Sequence, residues 1–287
     1  RSCSTLRACG VSETEALDSL ARLRDRFNGA LIGLAVADAL ATPAQWARPD
    51  RAAPIRDLRG GGPHDLPRGA WRADTAMAWC MAASLVEQGR YDADDERQRL
   101  RHWQRDGAYS ANEECIGISA AVSHAIAHGA PSLMLADGFE ALVRAVPITL
   151  FHFAAPAARD AALGTATALV AHERETRVAV QQIAQALQSA LQGDWELALA
   201  ALPTQGRYAP LREPLLAQNW KDAALVAANL GGDAQGVPAL VGALAGARDG
   251  LVAIPFAWRD SIAHAAELHE LADRILVGAL VELAGEA

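Results

Sequence analysis

Apolar residues recur every three or four positions along most of this chain, and breaks rich in proline and glycine separate the repeats. That pattern predicts helices joined by loops. Ser12-Glu13-Thr14-Glu15 has the form of a capping box. Behind it Leu17, Leu20, Leu23, Phe27 and Leu31 run at helical spacing into Asp38, and one long helix or two helices broken before Asp25 fit equally. Residues 42–70 hold five prolines and the run Gly60-Gly61-Gly62, hence a long loop inside a domain rather than a linker. Asp74 and Thr75 are N-cap types, and Met77, Cys80, Met81 and Leu85 follow at helical spacing, which places Asp74 at a helix N-terminus. Tyr91 to Glu96 reads as a helix start followed by a solvated face through Asp106.

Further along, residues 176–202 carry two amphipathic helices and residues 203–218, with three prolines, a loop. Asn219 caps a helix that ends at Gly231-Gly232. The next helix has Pro238 in its first turn, where the missing N–H is harmless, and its Gly242/Gly246 face predicts close packing against a neighbour. Ile254-Pro255 through Trp258 and a helix from Ile262 to Leu283 close the chain. Alanine and leucine dominate and aromatics make up only 5%. The expectation is therefore one all-α domain over residues 12–287, preceded by a polar leader at residues 1–11.

Charge and cysteines narrow the classes. A formal net charge of −8 speaks against a nucleic-acid surface. No run of 18 uninterrupted apolar residues occurs, so no membrane span is predicted. Cys3, Cys9, Cys80 and Cys115 form no zinc spacing; Cys80 and Cys115 read as small core residues, and a reducing cytoplasm fits best. The leader lacks the apolar segment of a secretory signal.

Two stretches share one design. Gly69-Ala70-Trp71-Arg72-Ala73-Asp74-Thr75 leads from a glycine loop into an apolar helix. Asn229-Leu230-Gly231-Gly232-Asp233-Ala234-Gln235-Gly236 leads from a Gly-Gly break into another. Each sets an aspartate at a helix N-terminus, where backbone N–H groups and the helix dipole suit an anionic ligand or a site carboxylate.

With the opening segment Asp25-Arg26-Phe27-Asn28-Gly29-Ala30-Leu31-Ile32-Gly33, these stretches resemble the ADP-ribosylglycohydrolase family in order and spacing, over about residues 24 to 277. The resemblance implies that family's all-helical fold. It also implies a site for two magnesium ions, held by a Thr-Asp-Asp motif, an Asp-x-Asp-Thr motif and a Glu after the opening helix. At those positions this chain carries Arg72, Ala73 and Asp74, then Asp233, Gln235 and Gly236, and Gln45. Two carboxylates do not balance four positive charges, and an added guanidinium opposes them by about 4 kcal/mol per unit-charge pair at 4 Å and an effective dielectric of 20.

The expectation is a site without magnesium, in which Arg72 occupies metal space and bonds to Asp74 and Asp233, in a pseudoenzyme with a binding or regulatory role. A single ion kept by Asp74, Asp233 and Asp38 is the competing expectation, and with it an active hydrolase. Further candidates rest on the same resemblance. Gly117 stands in a segment where Cys115 and Ile118 replace polar residues, and Glu113 and Glu114 read as exposed helix-start acids. Gly138 opens the turn that the family sets near the ADP-ribose diphosphate, but Phe139 and Glu140 replace an Asn and a Gly there. Arg144 is expected to tie helices together. His172 matches the histidine of a Thr-His pair, and Asp38 is a candidate for the pocket wall. Candidate partners are ADP-ribose or a related nucleotide, and a protein.

Overall fold

The computed structural model describes residues 12–47, 53–136, 138–231 and 236–286. Among them every regular element is a helix, and a β-bridge joins Gly61 to Leu66 within the long loop.

Helix α1 runs unbroken from Glu13 to Ala41, started by the reciprocal Ser12–Glu15 capping box. Its first half stands out in solvent, and from Phe27 onward every residue is buried. This helix is long and apolar enough to cross a membrane by composition alone, yet its apolar window is 94% buried within the fold, the place of a core helix. Glycine sets how it packs. A Cβ at Gly29 or Gly33 would collide with the backbone of Gly246 or Gly242 on helix α10 (Val237–Asp249), and the reverse holds too. The two backbones therefore touch, as the Gly242/Gly246 face predicts. The Trp220 indole N–H donates to the Gly242 carbonyl at 3.0 Å and pins the crossing from the side.

Around this pair lie α2 (Ala73–Gln88), α3 (Ala93–Asp106), α4 (Ala120–His128), α5 (Glu140–Phe151), α6 (Pro156–Val170), α7 (Arg174–Gln192), α8 (Trp195–Ala201), α9 (Trp220–Ala228), the short α11 (Phe256–Arg259) and α12 (Ala265–Glu286). The two helices expected over 176–202 are α7 and α8. Asn219 caps α9 by accepting from the Asp222 N–H. Two 3₁₀ turns break up the loop at 203–218.

Three local expectations are corrected. On α3, Glu96 is fully buried rather than solvated, since its carboxylate accepts from Arg144 Nε at 2.6 Å and from the Tyr91 hydroxyl at 3.0 Å. Burial alone pushes the Glu96 carboxyl up, and the guanidinium opposes that shift. Arg144 also donates to the Ala166 carbonyl of α6, so it does tie helices together. Glu113 and Glu114 are exposed but lie in the loop before α4, whose cap is Ser119. Cys80 is buried, whereas Cys115 is only half-buried.

Candidate functional site

The long loop returns the chain to the C-terminal end of α1, so the N-terminus of α2 sits over Asp38. That helix has Arg72 at its N-cap, with no side-chain cap of its own. Asp74 is therefore in the first turn, not the cap expected for it. Asp38 does the capping from across the core. Its Oδ2 accepts from the backbone N–H of Arg72 and of Thr75, both at 3.1 Å, and from the Thr75 hydroxyl at 2.9 Å. Its Oδ1 accepts from Arg72 Nε at 3.2 Å and Nη2 at 3.1 Å. Asp38 is fully buried and Arg72 nearly so. Arg72 thus pairs with Asp38 rather than with Asp74, because Asp38 already faces the unsatisfied N–H groups of that helix end.

Asp74 turns the other way. Its Oδ2 accepts from the Gly236 N–H at 3.0 Å, and Gly236 is the left-handed N-cap of α10. Burial pushes the Asp74 carboxyl up to about 7; Asp38 and Glu140 add to the shift, while Arg72 and the Gly236 N–H oppose it.

A cavity of about 490 Å³ opens beside these groups, within the range of small-molecule pockets. Arg72, Ala73, Asp74 and Met77 form one wall; Gly138, Phe139 and Glu140 at the start of α5 form the facing one. Gln45, Gly117, Ala136 and Arg207 complete it. Gly117 has φ +79°, and a Cβ there would come into contact with Ala73 and Arg72. Gln45 is 8% exposed, and its side-chain oxygen is buried without a hydrogen-bond partner. Phe139 packs edge-on against Tyr208 at 5.0 Å, and the Tyr208 hydroxyl donates to the Gly138 carbonyl.

The structure thus brings Gln45, Arg72, Asp74, Gly117 and Gly138 to one cavity and sets Asp38 directly behind it. His172 lies beyond the end of α6, and the cavity lining does not include it. Asp233 and Gln235 lie outside the described residues. Arg207, paired with Glu173 at 3.1 Å, escaped the sequence reading, for an arginine in a proline-rich loop has no spacing that singles it out. Among the described residues no three His, Cys, Asp or Glu side chains cluster closely enough to hold a metal ion.

An all-helical fold whose helix N-termini gather aspartates at one cavity defines a class, and comparison with known proteins agrees. The ADP-ribosylglycohydrolase family profile matches residues 19–218 and 208–285. The chain belongs to the ADP-ribosylglycohydrolase family. It is 29% identical to the ADP-ribosylarginine hydrolase Tri1 of Pseudomonas putida (strain GB-1), over 94% of this chain and 81% of that protein. To the protein of the same name from Serratia proteamaculans (strain 568) it is 28% identical, over 93% and 81%. A solved structure titled ADP-ribosylglycohydrolase-related protein complex superposes with a TM-score of 0.76 at 30% identity, covering 90% of this chain and 99% of that one.

Proposed function

We propose that this chain is a family member that binds ADP-ribosylated arginine without hydrolysing it, as a binding or regulatory protein. The Arg72–Asp38 pair carries this reading. Magnesium needs several hard oxygen ligands in near-octahedral array. Here both Asp38 oxygens are engaged by Arg72 and Thr75, and one Asp74 oxygen is engaged by Gly236. A guanidinium with a fixed positive charge faces the same cavity. The remaining described donors, Gln45, Glu140 and one oxygen of Asp74, do not fit a pair of magnesium ions, so no step through a metal is derived for this chain. The class of ligand follows from the relatives, whose names specify ADP-ribosylarginine.

Those same names favour the second reading, a hydrolase working through a single ion or an altered site. One experiment separates the two. The protein is given a peptide ADP-ribosylated on arginine, with and without magnesium, and heat, melting temperature and release of ADP-ribose are followed. Binding of the peptide with no stoichiometric magnesium heat and no release is the expected result. Stoichiometric magnesium uptake with ADP-ribose release establishes the hydrolase.

A further inference from the structure

Three helices present their N-termini around the cavity, and each already has a carboxylate of the protein at its positive end. Asp38 caps α2, Asp74 accepts from the N-cap N–H that precedes α10, and Glu140 stands in the first turn of α5. Helix ends that would hold a ligand's phosphate are thus occupied by side chains. The charges of the wall point the same way. Arg72 and Arg207 are each countered by a carboxylate one layer out, Asp38 and Glu173. Asp74 and Glu140 face the cavity with no ion pair to a described residue. With Asp74 ionised the four described lining charges cancel, and the two acids behind them leave the described site acidic.

A second observation is independent of charge. The Gln45 side-chain oxygen is buried in the wall with no donor, and a buried acceptor left unpaired is costly unless a ligand supplies the N–H. Among the described residues the wall therefore offers acceptors from Gln45, Asp74 and Glu140 and no cation without a carboxylate partner.

We propose that this cavity recognises a guanidinium group, held between Gln45, Asp74 and Glu140, and rejects a diphosphate. The proposal rests on the binding role above and names which end of an ADP-ribosylated arginine the pocket holds. A guanidinium presents five N–H donors in a planar fork and takes carboxylates two bonds at a time, which suits acceptors on facing walls. A diphosphate would bring its charge against Glu140, at the turn where a Cβ on Gly138 would also collide with the Glu140 carboxylate.

The test is a calorimetric titration of the whole chain in EDTA with three probes: Nα-acetyl-arginine N-methylamide, its uncharged citrulline counterpart, and pyrophosphate. The arginine probe should bind, with the other two at least about tenfold weaker. Glu140→Gln should weaken the arginine probe about tenfold, and Gln45→Leu should weaken it several-fold. Glu140 is half-exposed, so an unchanged melting temperature in Glu140→Gln shows that the fold is intact. Absence of arginine binding, equal binding of citrulline, tighter binding of pyrophosphate, or indifference to both substitutions overturns the proposal. The binding role itself is judged separately: it stands if the ADP-ribosylated peptide binds when the arginine probe does not, and falls if magnesium is taken up and ADP-ribose released.

Discussion

Asp38 and Arg72, 34 residues apart in sequence, meet through both carboxylate oxygens and both the backbone and side chain of the arginine. One carboxylate thereby neutralises a buried cation and caps the helix that cation precedes. Removing only one member leaves the other charged in the core. Arg72→Ala is expected to cost about 3–5 kcal/mol of stability, the usual result of stripping one partner from a buried pair. A double change to Asp38→Asn and Arg72→Met keeps an acceptor for the helix end and leaves no charge, and should cost less than Arg72→Ala. Urea denaturation of both variants measures the difference, and a double variant no more stable than the single one contradicts this account.

Asp74 makes stability depend on pH in an unusual direction. Its carboxyl titrates near 7 in the fold against 3.8 when unperturbed, chiefly through burial. The folded state therefore holds a proton that the unfolded state has lost across that interval, and this group's contribution falls as pH rises from about 4 to about 7. Asp74→Asn keeps an oxygen for the Gly236 N–H and removes the charge. It should raise the melting temperature at pH 8, by a stability on the order of a few kcal/mol, and change it little at pH 4. Equal effects at the two pH values would show that the carboxyl ionises normally.

Glu96 and Arg144 form a second buried ion pair, at 2.5 Å, between α3 and α5. Neither residue lines the cavity. Glu96→Ala strands the guanidinium and should cost about 3–5 kcal/mol, while affinity for any cavity ligand, measured on the fraction still folded, stays unchanged. A parallel loss of affinity in calorimetry would place this pair within the binding site.

The Gly29/Gly246 and Gly33/Gly242 contacts hold α1 against α10 with backbones touching. Gly246→Ala adds a methyl where the Gly29 carbonyl sits, so the helices must part. The expected cost is at least about 2 kcal/mol, at the upper part of the range for overpacking. The control is Gly164→Ala on α6, where a Cβ meets nothing and helix propensity alone favours alanine by up to about 1 kcal/mol. Thermal melts that rank the two variants in the opposite order refute the backbone-contact picture.

Helices and the glycine face were legible in the chain because spacing and small size are local properties. The pairing of the site was not. Nothing in the spacing of Asp38 and Arg72 says that the end of α1 lies under the start of α2, so Asp74, nearest in motif among the described residues, stood as an expected partner. Glu96 misled for a related reason. It sits among charged neighbours in a segment whose polarity reads as solvent-facing, and its partner Arg144 is 48 residues away. Periodicity tells which face of a helix is apolar; it does not tell which single acid on the other face has found a guanidinium.

The same geometry bears on whether a metal site can be put back. Restoring the family's residues means Arg72→Thr, Ala73→Asp, Gln235→Asp and Gly236→Thr. Gly236 has φ +79°, and a Cβ there would overlap the Cβ of Phe139. Threonine, β-branched, is poorly suited to that backbone conformation. The four changes together should thus lower stability by about 2 kcal/mol or more and fail to bind magnesium stoichiometrically. Adding Phe139→Gly, which removes the Cβ that the new side chain would meet, relieves the overlap. The fivefold variant should recover both stability and magnesium uptake, read by thermal melt and calorimetry. If the fourfold variant already binds two magnesium ions with its stability unchanged, Phe139 does not obstruct the site, and the loss of metal ligands alone separates this chain from its relatives.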